Sequence, residues 1–179
     1  SVAPIPLEAV DWVLIEARSG NPNISGIKNT DLIQTRYGFL FENGEIKDLN
    51  GNMGIRFSNL VYGDDYYFVV RHRNHLDIMS AIPLKAEVSM LYDFTQSTNT
   101  ALGPAQLKMS EDGSALMYAG DANGDGLIQT TDYDAWFLNN AEIDVYSLLD
   151  FNLDGIIQVS DYDRWFSNKA KVGIIEIQY

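Results

Sequence analysis

The residues best suited to chemistry stand between positions 121 and 132, where the chain reads DANGDGLIQTTD, and again between 150 and 161, where it reads DFNLDGIIQVSD. Oxygen-bearing side chains occupy positions 1, 3 and 5 of the first segment as Asp121, Asn123 and Asp125, and of the second as Asp150, Asn152 and Asp154. Glycine follows at position 6, as Gly126 and Gly155, where the chain must turn sharply. The main-chain carbonyls of Leu127 and Ile156 fall at position 7, the amides of Gln129 and Gln158 at 9, and carboxylates of Asp132 and Asp161 at 12. A calcium ion needs roughly six to eight oxygens at about 2.3–2.6 Å, from a loop that alternates ligands, turns, and closes on an acid. Each segment offers that set, so the expectation is two Ca2+ ions, one per loop. Magnesium fits less well, because it keeps its waters and takes fewer protein oxygens. One Asp-x-Asn-x-Asp-Gly alone also reads as a metal-free Asx-turn cluster; its repetition, twelfth position included, favours the metal.

Charge points the same way. The chain carries 12 basic and 25 acidic residues in 179, a net charge of −13. Ten of the acids lie from Asp121 to Asp163, with no Lys or Arg among them. Such a run repels itself in a compact fold unless cations neutralise it. The same balance disfavours nucleic acid and anionic lipid as partners. Cysteine is absent, which removes disulfides and thiolate metal sites and leaves calcium as the staple. No stretch approaches the roughly 18 apolar residues that span a bilayer. Ser1 opens without the charged and apolar regions of a signal peptide, as expected of a mature or trimmed form.

Setting Asp121 against Asp150 aligns DANGDGLIQTTDYDAWFLN with DFNLDGIIQVSDYDRWFSN. A helix is expected after each loop, over Asp132–Asn139 and Asp161–Lys169, with Tyr133, Trp136, Phe137 and Tyr162, Trp165, Phe166 forming the core of the small module. Ile128 and Ile157, at position 8, are expected to pair as a short bridge between the loops. With Asp in place of the usual Glu at position 12 of an EF-hand-type loop, residues 120–170 resemble the dockerin family. That resemblance implies secretion, a paired calcium scaffold, and a cohesin partner met through Thr130, Thr131, Val159, Ser160 and the following helix. The family's Ser-Thr pair and basic helix residue are only partly matched here.

Ahead of the loops, residues 1–118 read as a β domain, with short runs of Val, Ile, Tyr and Phe between Gly, Asn and Asp clusters. The strands expected are Val10–Arg18, Leu32–Phe41, Glu45–Asp48, Gly54–Phe57, Tyr66–Arg73, Ile82–Leu84 with Lys85–Phe94, and Leu107–Met109 with Ala115–Tyr118. Glu42-Asn43-Gly44 signals a tight hairpin turn of the primed kind, and Leu60 to Asp65 a second turn. Ile55-Arg56-Phe57 followed by Tyr66–Val70 resembles prealbumin-like and immunoglobulin-like modules of secreted bacterial proteins. The order of the whole chain resembles the C-terminal regions of large bacterial surface proteins, which implies a cell-surface location. The fold expected is mainly β, a sandwich over residues 1–118 joined to an α-helical calcium module over 119–172, with a terminal strand at 173–179.

The histidines, His72 and His75, sit at an expected strand end and turn, where they do not share a helix face as a zincin pair does. No nucleophile elbow, P-loop or dinucleotide fingerprint occurs. The reading is therefore a non-catalytic structural or interaction protein of the cell exterior. Its partner is another protein, or a second copy joined through the Val2–Leu7 arm and Ile174–Tyr179. The alternatives are a dockerin that carries an attached module to a cohesin, and a carbohydrate-binding module using Trp12, Tyr62 or Tyr92. Trp12 is expected in the core. Ser19–Thr30 reads as a loop containing the Asn23-Ile24-Ser25 glycosylation sequon, to which no role is given.

Overall fold

The computed structural model describes residues 5–22, 30–143, 146–174 and 177. Two long strands, β1 (Ala9–Gly20) and β2 (Thr30–Phe41), form an antiparallel hairpin that centres a six-stranded sheet. The others are β3 (Ile46–Lys47), β4 (Asp65–His72), β5 (His75–Met79) and β6 (Leu84–Lys85). The order is β3-β2-β1-β4-β5, and β6 also pairs with β4. The separate β7 (Lys108–Met109) and β8 (Ala115–Leu116) make a two-stranded hairpin. The chain is mainly β, as expected.

Alternation along β1 sends Val13, Ile15 and Ala17 to one face. There they meet Tyr66, Phe68, Val70 and Ile78 of β4 and β5, and Ala86, Ala101, Leu107 and Ala115 from the covering layer. Among the described residues that layer is irregular chain with the β7–β8 hairpin in place of a second full sheet. Gly54–Phe57 contributes only a bridge from Gly54 to Lys47, while Ile55 and Phe57 pack on the core. Left-handed Gly51 and Gly54 break the extended path. Lys85–Phe94 keeps a single strand residue, Lys85, the end of β6, which pairs with Asp65 of β4. The turn after β2 is a hairpin, but only Gly44 has positive φ, so it is not the primed turn of two left-handed residues.

The opposite face carries charge. Glu16 accepts from Arg18 Nε at 2.7 Å and Arg71 Nε at 2.6 Å, and Arg71 also binds Asp77. Burial opposes ionisation of Glu16, but the two guanidiniums outweigh it and hold its carboxyl below the usual range. Beside this network Val69 and Met79 are covered by Ile174 and Ile177. The Ile177 N–H bonds the Ile174 carbonyl at 3.3 Å, which makes a turn there. The remainder of the expected terminal strand, 175–176 and 178–179, lies outside the described residues, as do residues 2–4 of the Val2–Leu7 arm and the sequon.

Helices α1 (Thr130–Leu138) and α2 (Val159–Asn168) follow the two repeated segments, close to their expected spans. Their module has its own core of Ala119, Ala122, Trp136, Phe151 and Ile157, with Tyr133, Leu149, Tyr162 and Trp165 packed on it. A joint core of Leu76, Tyr118 and Ile128 ties it to the sheet. The six helix aromatics therefore divide. Four pack inward, whereas Phe137 is 57% exposed and Phe166, its equivalent in the second repeat, 48%.

Candidate functional site

Both candidate loops are built the same way. Position 1 fastens the turn: Asp121 accepts from the N–H groups of Gly124 (2.9 Å) and Gly126 (3.0 Å), and Asp150 from those of Asp154 (3.1 Å) and Gly155 (3.0 Å). Position 12 closes it. Asp132 takes the N–H of Ala122 and of Gln129, each at 2.9 Å, while Asp161 takes Asn152 at 3.1 Å and Gln158 at 2.9 Å. Asp125 and Asp154 are exposed and accept from Leu127 and Ile156, each at 2.9 Å. The amides of Asn123 and Gln129 also reach Asp125, as those of Asn152 and Gln158 reach Asp154. Positions 4 and 6 are left-handed in both loops, at Gly124, Gly126, Leu153 and Gly155.

Asp132 and Asp161 are 0% exposed, and Asp121 and Asp150 are buried too. Burial, with Asp132 and Asp125 nearby, pushes the Asp121 carboxyl up to about 6. Burial likewise raises Asp132 and Asp161. Buried carboxylates with raised pKa values and no basic residue in their loops fit a cation. Among the described residues no three acidic or histidine groups form a metal cage by themselves. The asparagine and glutamine amides and a main-chain carbonyl are needed to complete either set. The Leu127–Val172 bridge is made by the Gly126 carbonyl and the Ile128 N–H, so the Leu127 carbonyl takes no part in it.

Ile128 and Ile157 do not pair with each other. Ile128 bonds Ala170 and Lys171, after α2, and Ile157 bonds Ala141 and Glu142, after α1. Each loop is thus closed by the tail of the other repeat, which satisfies its backbone groups and leaves both isoleucine side chains in the core. The tryptophans repeat the exchange: Trp136 Nε1 donates to the Gln158 carbonyl at 3.2 Å and Trp165 Nε1 to that of Gln129 at 3.0 Å. Of the recognition positions implied by the dockerin resemblance, Thr130, Thr131 and Val159 are exposed and Ser160 is half-buried, at the helix starts.

A second cluster, not foreseen, joins sheet to loops. Asp11 accepts from Arg73 Nε at 2.7 Å and from the Tyr146 hydroxyl at 3.0 Å, and lies 3.1 Å from His72 Nε2 without good alignment. Burial opposes its ionisation, but His72 and Arg73 hold its carboxyl far below the usual range. Arg73 also lies 4.3 Å from the Tyr146 ring centre and 3.9 Å from Asp150 Oδ2. His72 and His75 pack edge to face at 4.4 Å within this cluster. The sequence signal available was β5: His75 to Met79 alternates, with Leu76 and Ile78 buried.

Trp12 is not in the core. It is 40% exposed and tilted against Tyr37, ring centres 5.9 Å apart, at the rim of a cavity also lined by Arg71, Arg73, His75, Asp77 and Asp121.

No family model matches the chain, and no curated protein matches it. Two matching solved structures are chains from type II cohesin–X-dockerin complexes of Acetivibrio cellulolyticus, one an N-terminal and one a C-terminal interface mutant. Each is 20% identical and covers 93% of this chain and 85% of that chain, with TM-scores of 0.46 and 0.47.

Proposed function

We propose that this chain is a calcium-stabilised, non-catalytic interaction module of the cell exterior, whose two helices dock a protein partner. In the first loop the calcium would be held by Asp121, Asn123, Asp125, the Leu127 carbonyl, Gln129 and Asp132. In the second it would be held by Asp150, Asn152, Asp154, the Ile156 carbonyl, Gln158 and Asp161. The ions would supply positive charge where the protein has buried acids, which stabilises the closed loops. The observation that carries this reading is the repeated burial of four carboxylates, Asp121, Asp132, Asp150 and Asp161, in two loops of matching hydrogen bonding.

The docking face is argued from Phe137 and Leu138 on α1 and Val159 and Phe166 on α2, large apolar side chains left at the surface. With the dockerin resemblance, the partner of choice is a cohesin-type β domain, bound one to one and only with calcium. Calorimetry on chelator-treated protein should give two calcium ions per chain, and a cohesin panel should capture the loaded form alone. Binding of no calcium, with unchanged folding and particle size in chelator, would overturn the reading.

A glycan is a second ligand, favoured by the exposed Trp12–Tyr37 pair beside a cavity whose lining includes Arg71, Arg73 and Asp77. Silence of a neutral-oligosaccharide array would remove it.

A further inference from the structure

The turn between β4 and β5 reads His72-Arg73-Asn74-His75, and Asn74 is 0% exposed within it. Its carbonyl accepts the N–H of Gly120 at 2.9 Å and of Asp121 at 3.2 Å. Its side-chain Nδ2 donates to the Asp150 carbonyl at 2.7 Å. One buried residue of the β sheet therefore touches the first residue of both loops.

The amide is locked in that orientation. Asn74 Oδ1 lies 2.8 Å from His75 Nδ1, and a carbonyl oxygen there requires the proton on the imidazole nitrogen. His75 Nδ1 is also 2.9 Å from His72 Nδ1, which in turn lies 3.5 Å from the Asn74 N–H. The two histidines clasp the asparagine, and its nitrogen can only face Asp150. The ligand sets of the loops are the same residue types in the same order, so a difference between the two sites comes from the residues around the ligands, within the loop as at Gly124 and Leu153 or beyond it. Asn74 supplies one: it holds the first loop through its backbone and the second through its side chain.

We propose that Asn74 is a positioning residue for the second loop, and that the β4–β5 turn is part of the calcium-binding unit. This rests on the calcium reading above. Loss of the amide removes the hydrogen bond that holds the Asp150 carbonyl, and so one of the anchors of the first carboxylate of that loop. Groups that orient metal ligands from behind alter affinity by about 10–100-fold.

The test follows the amide resonances of Gly126 and Gly155, which donate to Asp121 and Asp150 at 3.0 Å each, through a calcium titration. In Asn74→Ala, Gly155 should need about tenfold more calcium than in the unaltered chain, with Gly126 unmoved. Asn74→Asp, nearly the same shape but without the donor, should do the same. Equal displacement of both glycines, or of neither, in these variants would overturn the positioning role while leaving calcium binding in place. Absence of calcium uptake by the unaltered chain would instead overturn both readings.

Discussion

The indole N–H of Trp136 donates to the carbonyl of Gln158 across the boundary between the repeats. Trp165 returns the bond to Gln129, so position 9 of each loop is held by the helix that follows the other. Trp136→Phe keeps most of the ring and removes one donor from the Gln158 carbonyl, which still accepts the Asp161 N–H at 3.0 Å. The expected cost is about 1 kcal/mol. Urea denaturation in saturating calcium should show the midpoint fall with little change in slope.

Asp11 makes a comparable join on the sheet side. Asp11→Asn deletes the charge that Arg73 faces at 2.7 Å, in a position where both side chains are almost wholly buried. Removing one partner from such a pair typically costs about 3 kcal/mol. A second readout separates this from general damage. Burial, then the Asp11 charge, pushes the Tyr146 hydroxyl up to about 12. In Asp11→Asn the Tyr146 absorbance titration should move to lower pH, toward the ordinary tyrosine value near 10.

What the sequence disclosed follows from physical range. The strands β1, β2 and β4 and both helices were legible because each carries its own periodicity, and the loops because their hydrogen bonds run between near neighbours such as Gly126 and Asp121. The Ile128 contact was not, since position 8 gives no sign that its partner is Lys171 rather than Ile157. Asn74 was equally hidden: in the chain it is a polar turn residue, and only the fold brings it to Asp150, 76 positions away. Trp12 looked like core because its neighbours are apolar, yet alternation on β1 turns it to the half-covered face.

Phe137→Asp and Phe166→Asp test the docking face without touching the loops. Both side chains are about half exposed and rest against Tyr133 and Tyr162, so each substitution should cost about 1 kcal/mol. Calcium stoichiometry should stay the same, while capture by a cohesin-type partner should fall at least tenfold in the double variant. Unimpaired capture would move the partner to another surface.

The last prediction concerns pH. Without calcium, burial holds the folded Asp121 carboxyl up at about 6 against an ordinary value of 3.8, so between these values the folded chain holds a proton that the unfolded chain has released. Stability must then fall as pH rises through that window, because the native state binds more protons. Asp132 and Asp161 are shifted upward by burial as well and add to the same trend. Calcium reverses the sign, since it binds the ionised carboxylates and competes with the proton. The chelated protein should therefore melt several degrees higher near pH 4.5 than at pH 7, whereas the calcium-loaded protein should melt higher at pH 7. Asp121→Asn removes the largest of these protonations. Its chelated form should lose part of the difference between pH 4.5 and pH 7, the rest remaining with Asp77, which burial also raises to about 6, and a chelated form with the full difference would place the protonation on other residues.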